Sequence, residues 1–149
     1  MSPSKLNKFL MYKLPSAWLT GVRVRCTKEN KCVVIVKHKW INQNPFKSMF
    51  WAIQGMAAEL TTGVLIMMAI KKSGKRISML VLNNNSNFTK KATGKITFIC
   101  NQGHLANEVV DEIINTGEGK TFWMQSVGID EAGETVSTFN FEWTVKLKG

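Results

Sequence analysis

Proline is scarce in this chain, at 3 of 149 residues, and so are cysteine, at 3, and histidine, at 2. So little proline excludes a collagenous chain or a proline-rich spacer, and 44% hydrophobic with 20% charged residues excludes intrinsic disorder. Cys26, Cys32 and Cys100 are odd in number and scattered in spacing, so they suggest neither a disulfide framework nor a zinc knuckle. They read as reduced strand or core residues. His38 lies between lysines and His104 has no acidic or cysteine partner at ligand spacing, so nothing calls for a metal or a cofactor. Acidic residues are the other shortage. Ten of them against 20 Lys and Arg leave a formal net charge of +10, a surface suited to an anionic partner such as nucleic acid, a phosphorylated cofactor or a membrane face. No interleaved aromatic and basic motif singles out nucleic acid, and none is expected as a partner.

No secretory leader is expected either, because Lys8 and the Tyr12-Lys13 pair interrupt the only early apolar stretch and no small-residue cleavage site follows it. A cytoplasmic location is the expectation. The chain is long enough for one buried core, and no repeat or low-complexity linker divides it, so residues 1–149 are read as a single domain.

Element signals run the whole length. Leu6, Phe9, Leu10, Lys13 and Leu14 have helical spacing, and Pro15 stops that helix. Val22, Val24 and Cys26 alternate with polar residues, the turn Lys28 to Lys31 follows, and the β-branched run Cys32 to Val36 completes a hairpin. The polar segment ending in Asn44-Pro45 predicts a loop that caps a long helix, with Pro45 in the first turn. Strands are predicted over Ile77 to Leu82 and Lys95 to Cys100. A short helix opens at Gly103 and closes at Gly117 to Gly119, and a second hairpin turns at Asp130 to Gly133. That order is α+β with a mainly antiparallel sheet.

The long helix holds the most informative residues. Phe50 to Ile70 contains no basic residue and has about the ~20 residues that cross a bilayer, yet Gln54, Glu59, Thr61 and Thr62 near its middle are costly in lipid. It reads as the core helix of a soluble domain, and no membrane partner is expected. Ser48, Ala52, Gly55, Glu59, Thr62 and Gly63 share one small, polar face, which suits close approach by another backbone, a ligand, or both. So apolar a helix asks for more cover than six strands of one subunit give, so a homo-oligomer, dimer or tetramer, is expected.

The polar loop with Asn44, the turn into a long helix and the carboxylate Glu59 two turns inside it resemble the hot-dog fold, and within it the phenylacetate-degradation-like branch of acyl-CoA thioesterases. Phe88 to Lys95 and the Asp130 to Gly133 hairpin fall in that family's order, so the resemblance covers nearly the whole chain and is nearest to a bacterial thioesterase-like group without an assigned function. It implies a curved antiparallel sheet wrapped around the long helix and hydrolysis of an acyl thioester where two subunits meet. Asn44 and Glu59 fall at the family's catalytic Asn and acidic positions, whereas Phe50-Trp51-Ala52 stands where the family has His-Gly-Gly. The backbone amides of Trp51 and Ala52 then take the oxyanion role, in which a helix N-terminus stabilises developing negative charge. Met49, Phe50, Gly55 and Thr62 are the candidate acyl pocket, and Lys90, Lys91 and Lys95 the candidate contacts to coenzyme A phosphates. Each has a plainer reading beside it. Glu59 also suits a bond to a loop or a partner subunit, Asn44 a helix cap, Met49 and Phe50 ordinary packing, and the lysines a solvated face. A non-catalytic module that binds an acyl group or another apolar ligand is the alternative function.

Overall fold

Leu6 and Leu10, one turn apart, are the buried stripe of α1 (Pro3–Lys13), which the Ser2 hydroxyl caps by accepting from the Lys5 amide at 3.3 Å. In the computed structural model, which describes residues 1–149, Pro15 ends this helix and starts another, α2 (Pro15–Leu19). Proline suits the first position of a helix as well as it stops a preceding one, because the missing amide would have had no acceptor there. The first hairpin is as expected, β1 (Arg23–Thr27) against β2 (Cys32–Lys37) across a turn closed by the Lys28 amide on the Lys31 carbonyl at 2.8 Å. After a short 3-10 turn (Trp40–Asn42) come α3 (Trp51–Ser73), β3 (Ile77–Phe88), β4 (Lys95–Cys100), α4 (Gly103–Thr116), β5 (Lys120–Ile129) and β6 (Thr135–Leu147). The strands form one curved sheet in the order β1-β2-β4-β5-β6-β3, every neighbour antiparallel. Cys26, Cys32 and Cys100 are free thiols, and burial pushes Cys32 up to about 12 and Cys100 up to about 11.

Helix α3 is long and apolar enough to cross a bilayer, but here it is the core helix, packed on β2, β4, β5 and β6 and flanked by α2 and α4. Ala57, Val64 and Ile66 are fully buried against the sheet's apolar residues, Val34, Ile96 and Phe98 among them.

Two expectations are corrected. The long helix begins at Trp51, with Phe50 as its unassisted cap, and not near Asn44-Pro45. The intervening residues form a pinched loop, because Gln43 and Met49 pair as an isolated antiparallel bridge. Strand β3 does not stop at Leu82 but continues through the asparagine run to Phe88, since β6 offers a partner at each step from Asn83 opposite Glu142 to Phe88 opposite Ser137. Ile53, Leu60, Val64, Leu65 and Ile66 of α3 are 9% exposed or less, covered by this chain alone, while Met56, Met67, Met68 and Ile70 are half-buried and Trp51 is 55% exposed.

Candidate active site

The start of α3 is shaped by Asn44. Its side-chain oxygen accepts the amides of Phe46 at 2.8 Å and Ser48 at 3.2 Å, and its nitrogen donates to the Met49 carbonyl at 3.3 Å. Asn44 is therefore a loop builder, neither a helix cap nor a free contact. Lys47 takes a left-handed conformation with φ 61° inside this loop. The Met49 amide then donates to the Ala92 carbonyl at 2.8 Å and the Phe50 amide to Asn42 at 2.9 Å, fixing where the helix begins. The Ile53 and Gln54 amides reach back to the Phe50 carbonyl at 3.0 and 3.4 Å. Those of Trp51 and Ala52, with no side chain capping the helix, keep no partner. A helix leaves its first amides unsatisfied in just this way, and they favour negative charge.

A groove of about 680 Å³ runs between this loop and the segment 88–92, lined by Asn44, Met49, Phe50 and Trp51 on one side and by Lys90 and Lys91 on the other. The lysines differ. Lys90 sits 2.7 Å from both Asp130 and Glu134, which push its pKa up to about 12 and cancel its charge. Lys91 reaches only the Phe46 carbonyl, at 3.2 Å, and is the free cation of the groove. Lys95 lies outside it, at the start of β4, where its amide donates to Glu131.

Trp51 is shared with a second trough of about 410 Å³, which contains Ala52, Gly55, Met56 and Glu59 of α3, Val81 and Asn84 of β3, and Phe139 and Phe141 of β6. Glu59 is half-buried there. Its carboxyl accepts no hydrogen bond and has no cation within ion-pair distance, and desolvation raises its pKa. An acid of raised pKa in an apolar recess suits proton transfer near neutrality better than a solvated one. The small residues beside it are occupied by the chain's own aromatic rings, not by a second helix. A Cβ on Gly55 would stand 3.5 Å from Phe139, and one on Gly63 would stand 3.4 Å from Trp143. Thr62 lines no cavity. Its hydroxyl donates to the Glu59 carbonyl at 2.8 Å and accepts from Trp143 Nε1 at 3.0 Å. Met49 is buried, whereas Phe50 and Trp51 are 44% and 55% exposed and meet edge to face.

Sequence reasoning missed Gln54 as a site residue. It lines the groove, holds the Met49 carbonyl at 3.5 Å, and accepts from Ser137 at 2.8 Å. Its signal was the same as that of Glu59, a polar residue in an otherwise apolar helix.

The fold is shared with solved structures. A protein of unknown function from Pseudomonas aeruginosa, a probable thioesterase, superposes with a TM-score of 0.82 at 18% identity over 99% of this chain and 97% of its own. One of unknown function from Chlorobaculum tepidum gives 0.82 at 15% over 98% and 94%, and a thioesterase from Haemophilus influenzae 0.74 at 14% over 99% and 92%. At these identities the likeness establishes the fold alone. No match is found among curated proteins. Residues 4–145 match the family model of a domain of unknown function, DUF4442. The chain belongs to the DUF4442 family, and its curved sheet around one long helix is the hot-dog fold of its thioesterase-like structural relatives.

Proposed function

We propose that the protein is a cytoplasmic acyl-CoA thioesterase of the phenylacetate-degradation-like kind, hydrolysing an acyl thioester where two subunits meet. One observation carries this reading: the unpaired, raised-pKa carboxyl of Glu59 shares a trough with the first turn of α3, where the Trp51 and Ala52 amides are free. Glu59 lies seven positions beyond Ala52, about 10 Å along the helix, and helical side chains lean toward the N-terminus. The gap is right for a thioester carbonyl and one water. Glu59 removes a proton from the water as its oxygen bonds to the carbonyl carbon, and the two amides hold the resulting oxyanion. The carbon–sulfur bond then breaks and the thiolate leaves, taking up the proton. Lys91 is the remaining cation for a coenzyme A phosphate.

The second subunit is argued from the sheet edge. Strand β3 is paired with β6 on one side only, over its 12 residues, and Leu80, Leu82 and Phe88 are 64%, 52% and 44% exposed on it. An unpaired strand of this length is a template for another copy, and Asn84 on β3 already lines the trough. Pairing there puts the partner beside Glu59. A second reading, a non-catalytic acyl-binding module, is favoured by exposed Trp51 at a helix start where the resembling family carries small residues.

The deciding experiment is a screen of short, long and aromatic acyl-CoAs followed by thiol release, on protein whose mass is measured by light scattering. Turnover by a dimer or tetramer is expected. A 16.8 kDa monomer sinks the shared site, and binding without thiol release selects the second reading.

A further inference from the structure

The trough is not the only space that Glu59 borders. Met56 and Glu59 also line a separate, more enclosed cavity of about 290 Å³ between α3 and the N-terminal helices α1 and α2. Along α3 it runs from Met56 to Met67, eleven residues on, which is about 16 Å of helix. A volume of this size spread over that length is a narrow slot. Leu10, Leu60 and Val64 form its buried walls, and Phe9 from α1, 39% exposed, lies on its outer side. The charged or hydroxyl side chains on it are few: Glu59 where it joins the trough, with Lys13 and Ser16 at the exposed end of the helix pair.

A slot so poor in donors and acceptors leaves a nucleotide, sugar or peptide without hydrogen-bond partners, at a heavy desolvation cost. A polymethylene chain meets no such cost. We infer that α1 and α2 hold the acyl chain of the substrate against α3, so that the protein selects unbranched aliphatic acyl groups of medium length, with Met67 closing the far end. The thioester in this statement rests on the proposed hydrolysis, but the seat for the chain does not. A chain entering past Met56 leaves its carbonyl beside Glu59, in the trough shared with Trp51 and Ala52. Each methylene buried in the slot should tighten binding roughly four-fold, so discrimination by length should be steep up to Met67 and flat beyond it.

Binding is measured by calorimetry with non-hydrolysable thioethers, S-dodecyl-CoA and S-butyl-CoA, and with coenzyme A alone. Met67→Trp fills the far end of the slot, and Phe9→Asp places a charge on its outer wall at a partly exposed position, so that at least one variant keeps the parent's melting profile. The parent should bind the dodecyl compound at least ten-fold more tightly than the butyl compound. Both variants should lose most of that advantage while binding S-butyl-CoA as the parent does. Equal affinity of the parent for both thioethers overturns the inference, as does an advantage left intact in a folded variant. If the advantage is present and lost as expected but no acyl-CoA is hydrolysed, the acyl seat stands and the hydrolase reading falls. If hydrolysis is found without any dependence on chain length, the reverse holds.

Discussion

Over the nine residues from Gln54 to Thr62, α3 carries polar side chains with two different fates. Gln54, Thr61 and Thr62 face β5 and β6 and are paired, Gln54 with Ser137 at 2.8 Å, Thr61 with Ser126 at 2.8 Å, and Thr62 with Trp143 Nε1 at 3.0 Å. Glu59, among them, turns toward the trough and the N-terminal helices and has no partner for its carboxyl. The difference shows that a polar residue in an apolar helix is not in itself a functional signal. Paired, it ties helix to sheet; unpaired and facing a cavity, it is kept against a desolvation cost and is available to a ligand.

The sharpest way to break the comparison on the paired side is Thr61→Val. It strands the fully buried Ser126 hydroxyl, and an unsatisfied buried group of this kind costs roughly 1–3 kcal/mol. Urea unfolding should show that loss, and Thr61→Val combined with Ser126→Ala should recover part of it. If the single and double variants unfold alike, the pair is not what holds helix to sheet.

A smaller, pH-dependent effect is expected on the unpaired side. Burial raises the folded-state pKa of Glu59, so the folded protein holds that proton more tightly than the unfolded chain does. The favourable contribution is complete below the ordinary carboxylate range and is lost as pH rises through the folded value. Glu59→Gln lacks this titration. Its stability relative to the parent should therefore rise with pH, from a minimum in acid to a plateau above the folded pKa. A difference that stays flat from pH 4 to pH 8 would mean that Glu59 is solvated.

Most of the fold was legible in the sequence because the two hairpins and the helix after Gly103 carry local signals, alternation or helical period with turn residues at each end. What was not legible depended on partners distant in the chain. Asparagine has low strand propensity, yet Asn83 to Asn87 are held in β3 by the β6 ladder and by side-chain bonds such as Asn83 to Glu142 at 2.8 Å. Asn44-Pro45 has the composition of a helix start, and only the bridge between Gln43 and Met49 shows that the chain pinches first. Of the candidate site, Glu59 stood out as a lone carboxylate in an apolar helix, whereas the amides of Trp51 and Ala52 were pointed to by the family resemblance alone, since the predicted helix began earlier, near Asn44-Pro45. The cancellation of Lys90 by Asp130 and Glu134, and the slot under α1 and α2, were not, since each joins residues distant in the chain.

The central claim is that Glu59 is retained for chemistry and not for folding. Glu59→Gln keeps the shape and removes the basicity, so the direct test is to measure its acyl-CoA turnover and its melting temperature on the same preparation. The account predicts a loss of about 10²-fold or more in turnover, with a melting temperature at pH 8 equal to or above that of the parent. Unchanged turnover, or a variant that melts far below the parent, would contradict it.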